Sequence, residues 1–143
     1  MTLDLETLET SFDLIAPRGE ELVDSFYARL FETAPAVKPL FAKTDLAKQK
    51  AMLLATLVLL RKSLRDLEAI APKLRQLGAR HVAYGALPEH YPVVAEVLLA
   101  SMAEIAGEAW TPDVESAWAG ALGLDATAML EGAVEAQDEA LAA

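Results

Sequence analysis

Two histidines, His81 and His90, are the side chains here best suited to hold a metal or to move a proton near neutral pH, and no cysteine shares either task. Any metal would therefore be held by histidine, methionine or carboxylate, and neither a thiol nucleophile nor a disulfide framework is available. His81 falls on one stripe with Ile70, Leu74 and Leu77, so it faces inward near the C-terminal end of a helix. An inward histidine of this kind is either a hydrogen-bonded core or boundary residue or a metal ligand. His90 stands between Pro88 and Pro92 and reads as a solvated loop or helix-start residue. Gly-rich phosphate loops, catalytic carboxylates paired at a defined spacing and nucleophile motifs are absent from the sequence. Gly120 and Gly123 lie inside a helical pattern and point to close helix packing. Read by themselves, Tyr27 is a core aromatic of an amphipathic helix and Gln49 a surface residue.

The elements that must position these groups are helical. The chain holds 28 Ala and 24 Leu against 12 Val plus Ile, a balance that favours helix over sheet through side-chain entropy, and no strand is expected. Leu5, Leu8, Phe12 and Ile15 recur at three- and four-residue steps and predict a first helix that stops near Pro17. Val23, Phe26, Tyr27 and Leu30 predict a second from about Gly19 to Phe31. Pro35 and Pro39 then allow only a short turn of helix before Phe41, which sits at a corner. From Asp45, an expected N-cap, a long helix should reach about Leu64. Its middle is apolar on every side, as for a helix sandwiched between two layers. The His81 helix must end before Pro88, near Gly85. Pro92 suits the first turn of a further helix carrying Val94, Leu98, Met102 and Ile105, and Thr111 with Pro112 opens a last one reaching Leu130 or beyond.

At 143 residues the chain fits one domain, 1–143, with fraying expected after about residue 136, where bulky apolar anchors thin out. Twelve Lys and Arg against 22 Asp and Glu give a net charge of −10, which disfavours nucleic acid and anionic membrane surfaces as partners. The longest uncharged run, Ala51–Leu60, is well short of the ~18 apolar residues that suggest a membrane span. The acidic opening MTLDLETLET lacks the basic start and apolar stretch of a secretory signal, so a cytoplasmic location is expected.

The stretch RHVAYGALPEHYPVVAEVLL, residues 80–99, resembles the region around the proximal histidine of globins, specifically bacterial haemoglobins and the globin domain of flavohaemoglobins. FYARLF at 26–31 is similar to their second-helix motif, and PAVKPLFA at 35–42 to the corner carrying the haem-stacking phenylalanine. QKAMLL at 49–54 resembles the distal helix, and AWAGALG at 117–123 the final helix, with a short insert around Gly107–Pro112 before it. Spacing between the blocks up to that insert agrees without gaps, and the resemblance covers nearly the whole chain. It implies an all-α globin fold, with helices packed around a haem pocket and one non-covalently held haem b.

Residue by residue, the resemblance makes His81 the iron ligand, Phe41 the phenylalanine on the haem face, Tyr27 and Gln49 the distal polar pair, and Leu53 the apolar distal wall. Gln49 and Leu53 are four apart and share a helix face, so an amide donor and an apolar wall can look into one pocket. A polarised diatomic ligand such as dioxygen gains from both donors, and carbon monoxide gains much less. Tyr91 matches a tyrosine that flavohaemoglobin globins couple to the proximal histidine. A glutamate of the last helix normally completes that set; counting from Trp118 gives Glu135, with Glu131 one turn away. Such a glutamate would make the imidazole more anionic and favour oxygen activation over storage. Arg80 is a candidate partner for a haem propionate.

Reversible dioxygen binding is the function so implied. Nitric oxide dioxygenation is the enzymatic extension, dependent on a separate flavin reductase. A gas or redox sensor, and a haem-free helical interaction protein of the same fold, are the alternatives.

Overall fold

The computed structural model describes residues 4–42, 44–83 and 88–142, with the side chains of 67, 83 and 137–142 left aside. Among the described residues there are six α-helices and no strand: α1 (Leu5–Ile15), α2 (Gly19–Thr33), α3 (Leu46–Lys62), α4 (Leu67–Ala83), α5 (His90–Ala106) and α6 (Pro112–Ala142). Short 3-10 turns at Ala16–Arg18, Pro35–Phe41 and Gly107–Ala109 join them where Pro17, the Pro35/Pro39 pair and Gly107 interrupt the α pattern. Gly107 ends α5 at φ 57°, a backbone region that only glycine enters freely. The Asp45 carboxylate accepts from the Ala47 and Lys48 amides and starts α3 as expected, and Thr111 Oγ1 accepts the Val114 amide at the start of α6. Gly85, the expected stop of the His81 helix, lies outside the described residues.

The core forms where the apolar stripes of α1, α2, α5 and α6 meet, around Leu8, Phe12, Ile15, Leu22, Met102 and Trp118. Trp118 is 0% exposed and stacks at a tilt on Phe12, with ring centroids 6.0 Å apart. Its indole N–H donates to Ser11 Oγ at 2.8 Å, and that hydroxyl donates onward to the Thr7 carbonyl at 2.6 Å. The one polar atom of a buried aromatic is thus satisfied by a serine that needs no water.

Two helix pairs flank this core differently. Helix α4 rides on α6 in the closest packing of the molecule, while α3 lies on α2 and touches α1. A helix sandwiched between two layers was expected for α3, and the structure corrects this. Only Leu57 and Leu60 of α3 are buried, whereas Met52 is 56% exposed and Leu59 also faces outward. The physical reason is that the polypeptide covers α3 on one side only: among the described residues it makes almost no direct packing with α4. Helices α3 and α4, which have almost no direct contact with each other among the described residues, carry the side chains of the site below.

Candidate cofactor and ligand site

On α4, a His81 ring nitrogen, Nδ1, lies 2.7 Å from the Leu77 carbonyl one turn back. A carbonyl can only accept, so Nδ1 carries the proton and Nε2 presents the lone pair that a metal takes. Burial pushes the imidazole below its ordinary 6.5; the Leu77 carbonyl opposes this shift and the neighbouring Arg80 charge adds to it. The neutral ligand form is therefore favoured at physiological pH. Arg80 itself is exposed. Three residues before His81, Gly78 sits against the Met129 backbone of α6, and Gly132 of α6 sits against the Arg75 backbone of α4. The height of the His81 helix over α6 is thus set by two glycines.

On the opposite helix pair, α2 supplies Tyr27 and α3 supplies Gln49 and Leu53. Tyr27 is only 4% exposed, and burial raises its phenol above the ordinary 10.0, with the Gln49 side chain acting as a hydrogen-bond partner that works the other way. The two polar residues expected to share a pocket are therefore brought together. Phe41 meets Tyr27 edge-on at 5.8 Å between centroids and Phe31 at 5.4 Å, which closes the aromatic corner at the end of the Pro35–Phe41 turn. A cavity of about 440 Å³ opens beside it, lined by Phe31, Pro35, Lys38, Pro39, Phe41 and Leu46. Gln49, Leu53 and Phe41 are each half-buried, so each keeps a surface that the chain leaves uncovered.

Behind His81, the Tyr91 ring of α5 lies 6.4 Å from the imidazole, tilted by 38°. His90 begins α5, as its flanking prolines imply. Glu131 and Glu135 are both exposed and both ion-paired with Arg75, Glu131 at 3.1 Å. The acidic side chain whose charge acts on Tyr91 is Asp125 of α6, whose own pKa is pushed up to about 6 by burial. Sequence reasoning passed over Asp125, although it follows Trp118, Ala121 and Leu122 on the buried stripe of α6, where a carboxylate stands out.

This arrangement fits a haem. A single neutral imidazole suits a metal that arrives with its other ligands in a flat macrocycle, and the half-buried apolar faces of α3 and α4 are surfaces such a macrocycle would cover. The Tyr27 and Gln49 donors belong to α2 and α3, a different helix pair from the one that carries that imidazole.

Comparison with known proteins agrees with this geometry. The sequence profile of the Globin family matches residues 24–129. The flavohemoprotein of Bacillus subtilis is 30% identical over 128 residues, which are 88% of this chain and 32% of that protein; that of Chromobacterium violaceum is 33% identical over 126 residues, 86% of this chain and 31% of that protein. The chain thus spans about a third of the length of these curated relatives. Among solved structures, a bacterial globin from Campylobacter jejuni superposes with a TM-score of 0.81 at 24% identity, covering 94% of this chain and 96% of its own. A Pseudomonas aeruginosa protein described as structurally highly homologous to a human hemoglobin gives 0.78 at 25% identity, covering 90% and 96%.

Proposed function

Since this chain belongs to the globin family, we propose that it holds one haem b through His81 and binds dioxygen reversibly on the side of Tyr27 and Gln49. Globins hold haem and take small gases at it; when bound, the haem supplies an iron with one open coordination position. The chain's own residues supply the rest. His81 Nε2 ligates while Nδ1 stays on the Leu77 carbonyl, which fixes the tautomer. Phe41 and Leu53 would cover the macrocycle and exclude water, and the exposed Arg80 beside His81 would meet a propionate. The burial of Tyr27, with the polar Gln49 side chain near enough to act on its phenol, is the observation that carries the gas-binding reading, because a pocket with two polar groups favours a polarised ligand over an apolar one.

Nitric oxide is a second small ligand of this reading and carbon monoxide a third. The flavohemoprotein relatives support an extension to nitric oxide dioxygenation, in which nitric oxide, dioxygen and one electron give nitrate. A flavin reductase would return that electron. No helix of the described residues is long and apolar enough to cross a membrane.

Haem titration of the wild type with His81→Ala and His90→Ala tests the reading. Loss of stable haem retention in the first variant and full retention in the second is expected. An unchanged Soret band in His81→Ala would reject His81 as the ligand.

A further inference from the structure

A second cavity, of about 250 Å³, lies between the end of α3, α4 and α6. Leu60, Leu64, Leu74 and Leu124 form most of its wall, and Asp125 and Glu68 are its two charged side chains. Tyr27, Phe41, Gln49, Leu53 and His81 do not line it, so it is separate from the residues read as holding haem and gas. Asp125 Oδ1 is buried and meets no hydrogen-bond donor among the described residues. The Tyr91 phenol feels the charge of this carboxylate without bonding to Oδ1. No side chain of the lining can donate, because the remainder is leucine, alanine and a second carboxylate. The arginines nearby in sequence are engaged elsewhere: Arg61 and Arg65 with Glu9 and Asp13, Arg75 with Glu131 and Glu135. A buried anionic oxygen costs free energy until a donor or a cation reaches it.

The lining selects among ligand chemistries. Two carboxylates repel an anion, and a purely apolar molecule would leave Oδ1 unpaired. A hard metal ion needs several oxygen ligands, and the leucine wall supplies none. A primary ammonium on a short saturated chain meets both demands, with three N–H donors for the carboxylate and an apolar body for the leucines. A dry cavity of about 150 Å³ takes benzene, so this one holds a ligand of about ten non-hydrogen atoms. We propose that the cavity binds a small primary aliphatic amine, its ammonium on Asp125 and its chain against Leu60, Leu64 and Leu74. The exposed Glu68 adds attraction for a cation on its way in.

The test is titration of n-hexylamine into the reduced, carbon monoxide-saturated protein, in which any haem iron already holds a ligand. Calorimetry should show saturable one-to-one binding, and the Asp125 carboxyl carbon resonance of isotope-labelled protein should move with it while the Soret band stays in place. 1-Hexanol, with the same chain and no cation, and hexanoate, with the opposite charge, should each bind about tenfold more weakly or worse. Asp125→Asn should weaken hexylamine about ten- to hundredfold. Ala128→Leu, which fills the cavity and keeps the carboxylate, should abolish binding. Absence of saturable binding, hexanol binding as tightly as the amine, or an unchanged affinity in Asp125→Asn would overturn the proposal. So would a Soret band that moves while the Asp125 resonance does not, since the amine would then sit at the iron. Should either variant fail to fold, the Asp125 resonance of the wild type with the three ligands decides alone: it should follow the amine, and a resonance unmoved by it would overturn the proposal.

Discussion

Gly78 of α4 and Gly132 of α6 cross with the two helix backbones in direct contact, one turn before the histidine that α4 presents. A methyl group at Gly78 would run into the Met129 carbonyl, and one at Gly132 into the Arg75 carbonyl; backbone cannot swing aside as a side-chain tip can. Gly78→Ala and Gly132→Ala are therefore expected to destabilise the fold by roughly 1–3 kcal/mol or more. Gly123, on the same long helix but with nothing near its missing Cβ, gives the opposite sign: Gly123→Ala should stabilise by about 0.5–1 kcal/mol. Denaturant unfolding of the three variants checks both signs.

Tyr27→Phe and Gln49→Leu each remove one polar group, the first buried and the second half-buried. A hydrogen bond to a charged or strongly polarised ligand is worth about 1–3 kcal/mol. At about 1.4 kcal/mol per tenfold, dioxygen release should quicken roughly 5- to 150-fold in each variant. Stopped-flow and flash photolysis measure it, and carbon monoxide release should change far less. Off-rates unchanged in both single variants and in the double variant would mean that neither residue faces the ligand.

Ser11→Ala leaves the Trp118 indole N–H without an acceptor in the centre of the core. The expected loss is about 1–3 kcal/mol, the cost of an unsatisfied buried donor, although the substitution removes a single oxygen. Unfolding followed by tryptophan fluorescence reports it. The Ser11→Ala/Trp118→Phe double variant should lose less than the sum of the singles.

Burial holds His81 below its ordinary pKa, so the unfolded chain takes up the proton first as pH falls. Both forms are neutral well above 6.5, and stability then declines as pH drops through 6.5, levelling off once the folded imidazole is also protonated. Asp125, with its pKa raised to about 6 from 3.8, bends the same curve the other way, lowering stability as pH rises from 3.8. The His81 contribution is therefore read from wild type against His81→Gln in the haem-free protein. The variant should show the shallower decline below pH 6.5.

The helical architecture was legible because three- and four-residue apolar steps and local breakers name helices directly: Pro17, Pro35, Pro39, Asp45 and the Thr111–Pro112 pair all stand at the junctions between α-helices. The pairing of Tyr27 with Gln49 was legible only through the family resemblance, since an amide on a helix otherwise reads as surface. The half-covered state of α3 was not legible, because apolar residues on all sides of a helix say that it wants cover without saying what supplies it. On α6, counting from Trp118 fixes which residues share a face, and Glu131 and Glu135 do share one, but the face they share is the one Arg75 occupies. Which carboxylate turns inward depends on how α4, α5 and α6 are rotated against one another, a long-range property that the Gly78–Gly132 crossing sets and local spacing does not encode.

Helix α3 is held at both ends, by different partners. Arg61 at its last turn binds Asp13 and Glu9 of α1, Arg65 just beyond it binds Glu9 again, and its buried residues Leu57 and Leu60 lie in the same half. The other half, with Gln49 and Leu53, rests on α2 through Leu54 packed at Gly19 and an ion pair from Lys50 to Asp24. The ties from Arg61 and Arg65 to α1 are ion pairs, so added salt screens them and loosens the Arg61 end of α3 before it touches the Leu54 contact at Gly19.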